Sequence, residues 1–205
     1  MSRNTHLAFM VFIIIGLALG LVVWAGGVAM ADCPKKPPVP PPSYEKPPRA
    51  IIKTKFGEIE IVLFPDIAPR HVASFIALAK CGFYNGTIFH RIIPRFMIQG
   101  GDPLTKDPAM RHRYGTGGPG YTLPAEFSNI RHTRGIVSAA RTADPNSAGS
   151  QFFIMVDQAP HLDGQYTVFG EVVRGMEVVD RIVNQPRDAR DSPLERIEMT
   201  IEIVE

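Results

Sequence analysis

The sequence predicts a mainly β fold, a closed antiparallel β-barrel with two covering α-helices, preceded by an apolar leader and a proline-rich linker. Three features carry that prediction. Apolar and polar residues alternate at both ends of the region 50–205. Only two stretches there have helical periodicity. Between them, short apolar runs are punctuated by glycine as far as Gly170. A strand points successive side chains to opposite faces, so strict alternation marks one that is buried on one side.

Residues 1–31 form a targeting segment. Arg3 supplies a positive start, Leu7 to Ala31 carries no charge, and Ala29-Met30-Ala31 has the small residues of a cleavage site. The apolar run also has the roughly 20 residues needed to span a bilayer. A cleaved signal peptide is preferred, and an uncleaved anchor tethering the protein to the membrane stays open. Residues 32–49 follow as a linker. Eight of the fifteen residues from 34 to 48 are proline. Proline donates no backbone hydrogen bond, so neither helix nor sheet is expected there. An extended polyproline II rod on the order of 40 Å is expected instead, at about 3.1 Å per residue. A plain spacer is preferred over a ligand for a proline-recognising domain.

The domain occupies 50–205. Ile59, Ile61 and Leu63 alternate with Glu58, Glu60 and Val62, and the turn at 55–57 joins this strand to a partner containing Ile51 and Ile52. Pro69 through Cys81 reads as a helix. Proline suits its first turn, Val72, Phe75, Ile76 and Ala79 form its apolar stripe, and Gly82 stops it. Val178, Val179 and Ile182 mark a second helix, and Ile197, Met199, Ile201 and Ile203 a final strand.

Composition narrows the function classes. The chain has 205 residues, 45% apolar and 20% charged, which suits one globular domain with appendages. Five of the 22 bases and two of the 20 acids precede residue 50, leaving 17 against 18 in the domain, a net of −1. No basic stripe is apparent, so nucleic acid is not an expected partner. The histidines at 6, 71, 90, 112, 132 and 161 lack ligand spacing, so no metal is expected. The glycines from Gly115 to Gly120 have no P-loop lysine after them and read as a surface turn. Cys33 and Cys81 lie in different segments. One bridge between them is conceivable, but a buried Cys81 with a free or removed Cys33 is the preferred reading.

Three blocks carry chemistry. They are 89–102 (FHRIIPRFMIQGGD), 150–154 (SQFFI) and 162–170 (LDGQYTVFG), with 115–118 (GTGG) and 135–138 (GIVS) between them. In this order they resemble the signature of the cyclophilin-type peptidyl-prolyl cis-trans isomerases, and the resemblance extends over about 50–204. It implies an eight-stranded antiparallel barrel with a groove on its outer surface, acting as a monomer without cofactor on proline-containing polypeptides. The family's catalytic arginine falls on Arg91 and its glutamine partner on Gln99. The proline pocket falls on Phe96, Met97, Phe153 and Leu162, with Tyr166 at its border. Substrate-backbone contacts fall on Ala140 and Arg141, and Gln151 lies along the groove. His161 stands where cyclosporin-sensitive members commonly have tryptophan. His90 reads as a structural hydrogen-bonding residue. The loop 141–146 looks like that of bacterial members, so a bacterial periplasm is the expected location.

The residue types fit the chemistry. Rotation about an X–Pro bond breaks amide resonance, over a barrier of about 18–20 kcal/mol, and cleaves nothing. No nucleophile, metal or cofactor is required. Twisting restores the lone pair on the proline nitrogen, to which a guanidinium can donate, while an apolar pocket holds the ring. The competing class is an idle binding module or chaperone holding proline-containing partners. The presence of Arg91, Phe96, Gln99 and Phe153 together favours the enzyme.

Overall fold

The computed structural model describes residues 32–41 and 43–204. The leader 1–31 lies outside the described residues, and so does the choice between signal peptide and anchor. Among the described residues no helix is long and apolar enough to cross a membrane.

Among the described residues nine strands form one sheet: β1 (Arg49–Thr54), β2 (Gly57–Leu63), β3 (Thr87–Ile88), β4 (Arg91–Ile93), β5 (Met97–Gly100), β6 (Ile136–Ala139), β7 (Phe152–Met155), β8 (Val168–Arg174) and β9 (Glu198–Val204). Their order is β3-β9-β1-β2-β8-β6-β7-β5-β4, and every pairing is antiparallel. The class is the predicted one, but the count and the closure differ. The edge strands β3 and β4 are joined by only Phe89 and His90, so the sheet must curl until its edges meet. Phe89 donates its amide to Ile197 beside β9, and His90 donates to Gln99 of β5, at 3.1 and 3.0 Å. The run 87–93 is thus one strand that changes partners midway. This splits the expected eight strands into nine and closes the curl through the chain rather than through a ladder.

The expected helices are present. α1 (Pro69–Lys80) has proline in its first turn and buries Val72, Phe75 and Leu78. Its orphan amides are capped from far along the chain. Glu126 accepts from the Arg70 and His71 amides, each at 3.1 Å, and from His71 Nδ1 at 2.6 Å. A carboxylate at a helix N-terminus also meets the positive end of the helix dipole. α2 (Met176–Val183) buries Val178, Val179, Ile182 and Val183. It follows Gly175, whose φ of 95° belongs to the left-handed region. A β-carbon there would run into the Glu58 carbonyl, so glycine is required.

The inner face of the curl is one apolar row. Ile92, Ile98, Ile154 and Val137 sit opposite one another across β4, β5, β7 and β6. All four are fully buried with Phe89, Phe152 and Phe169. Each such side chain stabilises the fold by about 1.5–3 kcal/mol relative to exposure.

Among the described residues of the proline tract there is neither helix nor strand. It does not stand clear of the barrel. The Leu63 amide donates to the Pro48 carbonyl at 2.8 Å, and Tyr44 packs on the core. Cys33 forms a disulfide with Cys81, whose Cα lies 5.2 Å away just past α1. This corrects the preference for a free Cys33. An extended rod was expected to carry Cys33 away, whereas the tract runs back over the domain. A cross-link spanning 48 residues restricts the unfolded chain. Replacing both cysteines by serine is therefore expected to cost about 2–4 kcal/mol of unfolding free energy in urea titrations. An unchanged midpoint would show that the bridge contributes nothing.

Candidate active site

The outer face of the same strands carries the site. In antiparallel ladders, residues directly opposite share a face. Arg91 of β4 sits opposite Gln99 of β5, Gln99 opposite Phe153 of β7, Phe153 opposite Ser138 of β6, and Ser138 opposite Val168 of β8. A second row runs Ile93, Met97, Met155. The apolar members of both rows join Leu162 in a cluster separate from the barrel interior, with Phe96 and Tyr166 packed on it. Phe152 and Ile154 fill the barrel while Phe153 and Met155 face out, which is why β7 is buried on both sides.

Nine of the eleven sequence-predicted residues line one pocket of about 110 Å³: Arg91, Phe96, Met97, Gln99, Ala140, Arg141, Phe153, Leu162 and Tyr166. Drug-sized ligands occupy about 300–1,000 Å³, so this cavity suits a single small ring. Phe153 and Tyr166 meet edge to face at 5.8 Å and 79°. The Arg141 guanidinium lies 4.4 Å above the Tyr166 ring, and donates to the Gln165 carbonyl at 2.9 and 3.1 Å. The other two predicted residues border the pocket. Gln151 accepts from Gln99 Nε2 at 2.9 Å and donates to the Gly117 carbonyl at 2.8 Å. His161 stacks on Phe96 at 5.8 Å and 28°. Arg91 is exposed, and its side chain makes no hydrogen bond or ion pair among the described residues.

Two supporting groups escaped the sequence reading. His132 is buried behind the pocket, stacked on Phe153 at 6.1 Å and edge-on to Tyr166 at 6.4 Å. Its Nδ1 lies 3.1 Å from Asp163, and its Nε2 3.1 Å from the Ser138 hydroxyl. Burial lowers the His132 pKa, against the opposing effect of Asp163. Asp102 is fully buried and accepts from the Leu104 amide at 2.8 Å, the Gly115 amide at 2.5 Å and the Gly117 amide at 3.3 Å. This folds the glycine-rich turn against the groove. A β-carbon on Gly117 would collide with the Asp102 carboxylate, so that glycine answers a close approach. The histidines could not be sorted by spacing, because His132 and Asp163 meet only in three dimensions.

Known proteins share this domain and its fold. Residues 49–203 match the family model described as "Cyclophilin type peptidyl-prolyl cis-trans isomerase/CLD". The chain belongs to the cyclophilin-type peptidyl-prolyl cis-trans isomerases. A Brucella suis protein named "Probable peptidyl-prolyl cis-trans isomerase" is 52% identical over 136 residues, 64% of this chain and 69% of that one. A Synechococcus elongatus peptidyl-prolyl cis-trans isomerase is 44% identical over 144 residues, 66% of this chain and 93% of its own. The crystal structure of a Cryptosporidium parvum cyclophilin-type isomerase superposes with a TM-score of 0.71 at 33% identity, covering 78% of this chain and 99% of that one. The same Cryptosporidium protein in the presence of the dipeptide Ala-Pro gives 0.69 at 34% identity. As a cyclophilin, the chain is an isomerase.

His90 has no acid–base part to play in this isomerase. It is buried beside Arg91, and desolvation lowers its pKa from 6.5 to about 4, against the raising effect of Asp102. The ring is neutral at physiological pH. A histidine pKa depressed by folding means that the unfolded chain binds the proton more tightly. Stability from this group is complete above pH 6.5 and drains away as pH falls toward 4. Urea titrations are expected to lose up to about 3 kcal/mol from His90 across that window, and a folded His90→Gln variant should lose correspondingly less. Identical slopes for both proteins would mean that His90 is not held neutral.

Proposed function

We propose that this cyclophilin accelerates X–Pro rotation in proteins folding outside the cytoplasm, with Arg91 stabilising the twisted amide. The observation that carries the reading is the cross-strand row Arg91–Gln99–Phe153. It puts an unpaired guanidinium at the mouth of an apolar pocket sized for one ring. Phe96, Met97, Phe153 and Leu162 grip the proline ring by burial in ground and transition states alike. Such uniform binding does not itself raise the rate. Arg91 supplies the differential part, because the proline nitrogen becomes a good acceptor only when the amide is twisted. A gain of about 10⁵-fold asks for roughly 7 kcal/mol of such stabilisation. Gln99 commits its amide nitrogen to Gln151, which leaves its carbonyl oxygen as the acceptor available to brace Arg91. Backbone groups at Ala140 and Arg141 align the peptide across the pocket.

The substrates are proline-containing polypeptides, in keeping with the Ala-Pro dipeptide named for the Cryptosporidium relative. The location, a bacterial periplasm, is supported by the apolar leader and by the Cys33–Cys81 disulfide, since such bridges persist in oxidising compartments. The N-terminal residue of protein recovered from native cells tests both the location and the cleavage of the leader.

Replacing Arg91 by alanine is expected to leave the fold intact, because the side chain is exposed. It should lower kcat/KM on a proline peptide about a hundredfold, roughly 2.7 kcal/mol of transition-state stabilisation. Arg91→Lys should recover little, since an ammonium lacks the planar fork. Full activity in a folded Arg91→Ala protein would remove Arg91 from the mechanism.

A further inference from the structure

Beside the proline pocket lies a larger groove of about 780 Å³, most of whose lining has no part in holding the proline ring. It shares Arg91, Gln99 and Arg141 with the pocket, so it continues the same surface. Two irregular segments wall it. One is the arm 103–114, two 3₁₀ turns started by Asp102 and Asp107, and held by Arg196, which donates to the Thr105 carbonyl at 2.9 Å. The other is the loop 186–193, fastened to β4 by the Ile92 amide donating to the Asp191 carbonyl at 2.8 Å. That bond lies one residue from both Arg91 and Arg190, and both arginines line the groove. The walls are tied together by the 3.0 Å ion pair between Arg111 and Asp188.

The charge of this groove is unlike that of the domain. Arg91, Arg111, Arg141 and Arg190 line it, against Asp188 as its one acid among the described residues. His90 beneath adds nothing, being neutral. Arg111 offsets Asp188, and Arg141 is hydrogen-bonded only to carbonyl oxygens, which leave its charge intact. Arg91 and Arg190 have no acidic partner among the described residues. Three positive charges thus remain in one concave wall of a domain whose net charge is −1. A cleft lined by one sign of charge concentrates field and raises the local concentration of opposite charge.

We infer that this groove selects polypeptide substrates bearing acidic side chains on one flank of the isomerised proline, with Arg190 a specificity-determining residue. The inference deepens the isomerase reading by naming its preferred substrate class. The occupant is the substrate chain itself, because the groove opens from the proline pocket and shares its arginines. Carboxylates are the groups that a fork of guanidinium donors recognises in a peptide.

The test uses X–Pro peptides carrying Glu, Gln or Lys on either side of the X–Pro unit, with kcat/KM and binding affinity both measured on the oxidised protein. At low salt, the Glu peptide is expected to exceed its Lys counterpart about tenfold in both readouts, from one flank only, and the gap should shrink by about 0.5 M salt. Arg190→Ser should narrow the gap about threefold and leave the Gln peptide unchanged, and Arg190→Lys should keep most of it. Equal values for the three peptides, an equal response from both flanks, or a gap that Arg190→Ser does not alter would overturn the inference. Preferential binding without turnover of any peptide would support the groove and overturn the catalytic reading instead.

Discussion

Everything in this site depends on two-residue alternation across a sheet that is buried on both faces. In β5 and β7 each odd or even set of side chains has its own apolar environment. Ile98, Phe152 and Ile154 fill the barrel. Met97 and Phe153 line an external pocket, with Met155 in the same outer cluster. A slip of one residue would exchange the two sets, so the energy of the barrel interior also fixes the register of the site. Arg91 inherits its position from the same rule, because its neighbour Ile92 is locked into the interior row.

Rigid placement matters because the reaction makes and breaks no bond within the backbone. The enzyme has only differential binding to offer, and a displaced donor loses most of its effect. The surrounding network answers that need. Gln99 is held by Gln151 and Gln151 by Gly117, while Gly117 and Gly115 wrap Asp102. On the other side, His132 backs Phe153 and Tyr166, and is itself held by Asp163 and Ser138. Asp102, His132 and Asp163 thus support the pocket without lining it.

The appended segments are joined to this frame more closely than their composition suggests. A tract of eight prolines cannot pair with a sheet, yet it can lie along one. Cys33, Tyr44 and Pro48 fasten it at successive points. Composition describes what the backbone can hydrogen-bond. It does not describe where a rod is pointed once its ends are tethered.

The sequence by itself determined the strand and helix content, since alternation and helical periodicity are local and survive any packing. The pocket residues were legible only through the resemblance of blocks such as 89–102, 150–154 and 162–170 to the cyclophilin signature, and the fold brings nine of them around one cavity. What the sequence could not determine were the meetings of distant residues. Glu126 caps α1 from 55 and 56 residues away, Cys33 reaches Cys81, and Asp163 finds His132. The ninth strand arises because residues 87–93 change partners at a bend that no local pattern marks. The arginines at 91, 111, 141 and 190 average out in a count of charges over the domain, and only the curl of the sheet and the two loops beside it gather them into one wall. Local propensity acts over a few residues, whereas the sign of a surface is decided by which segments the fold brings side by side.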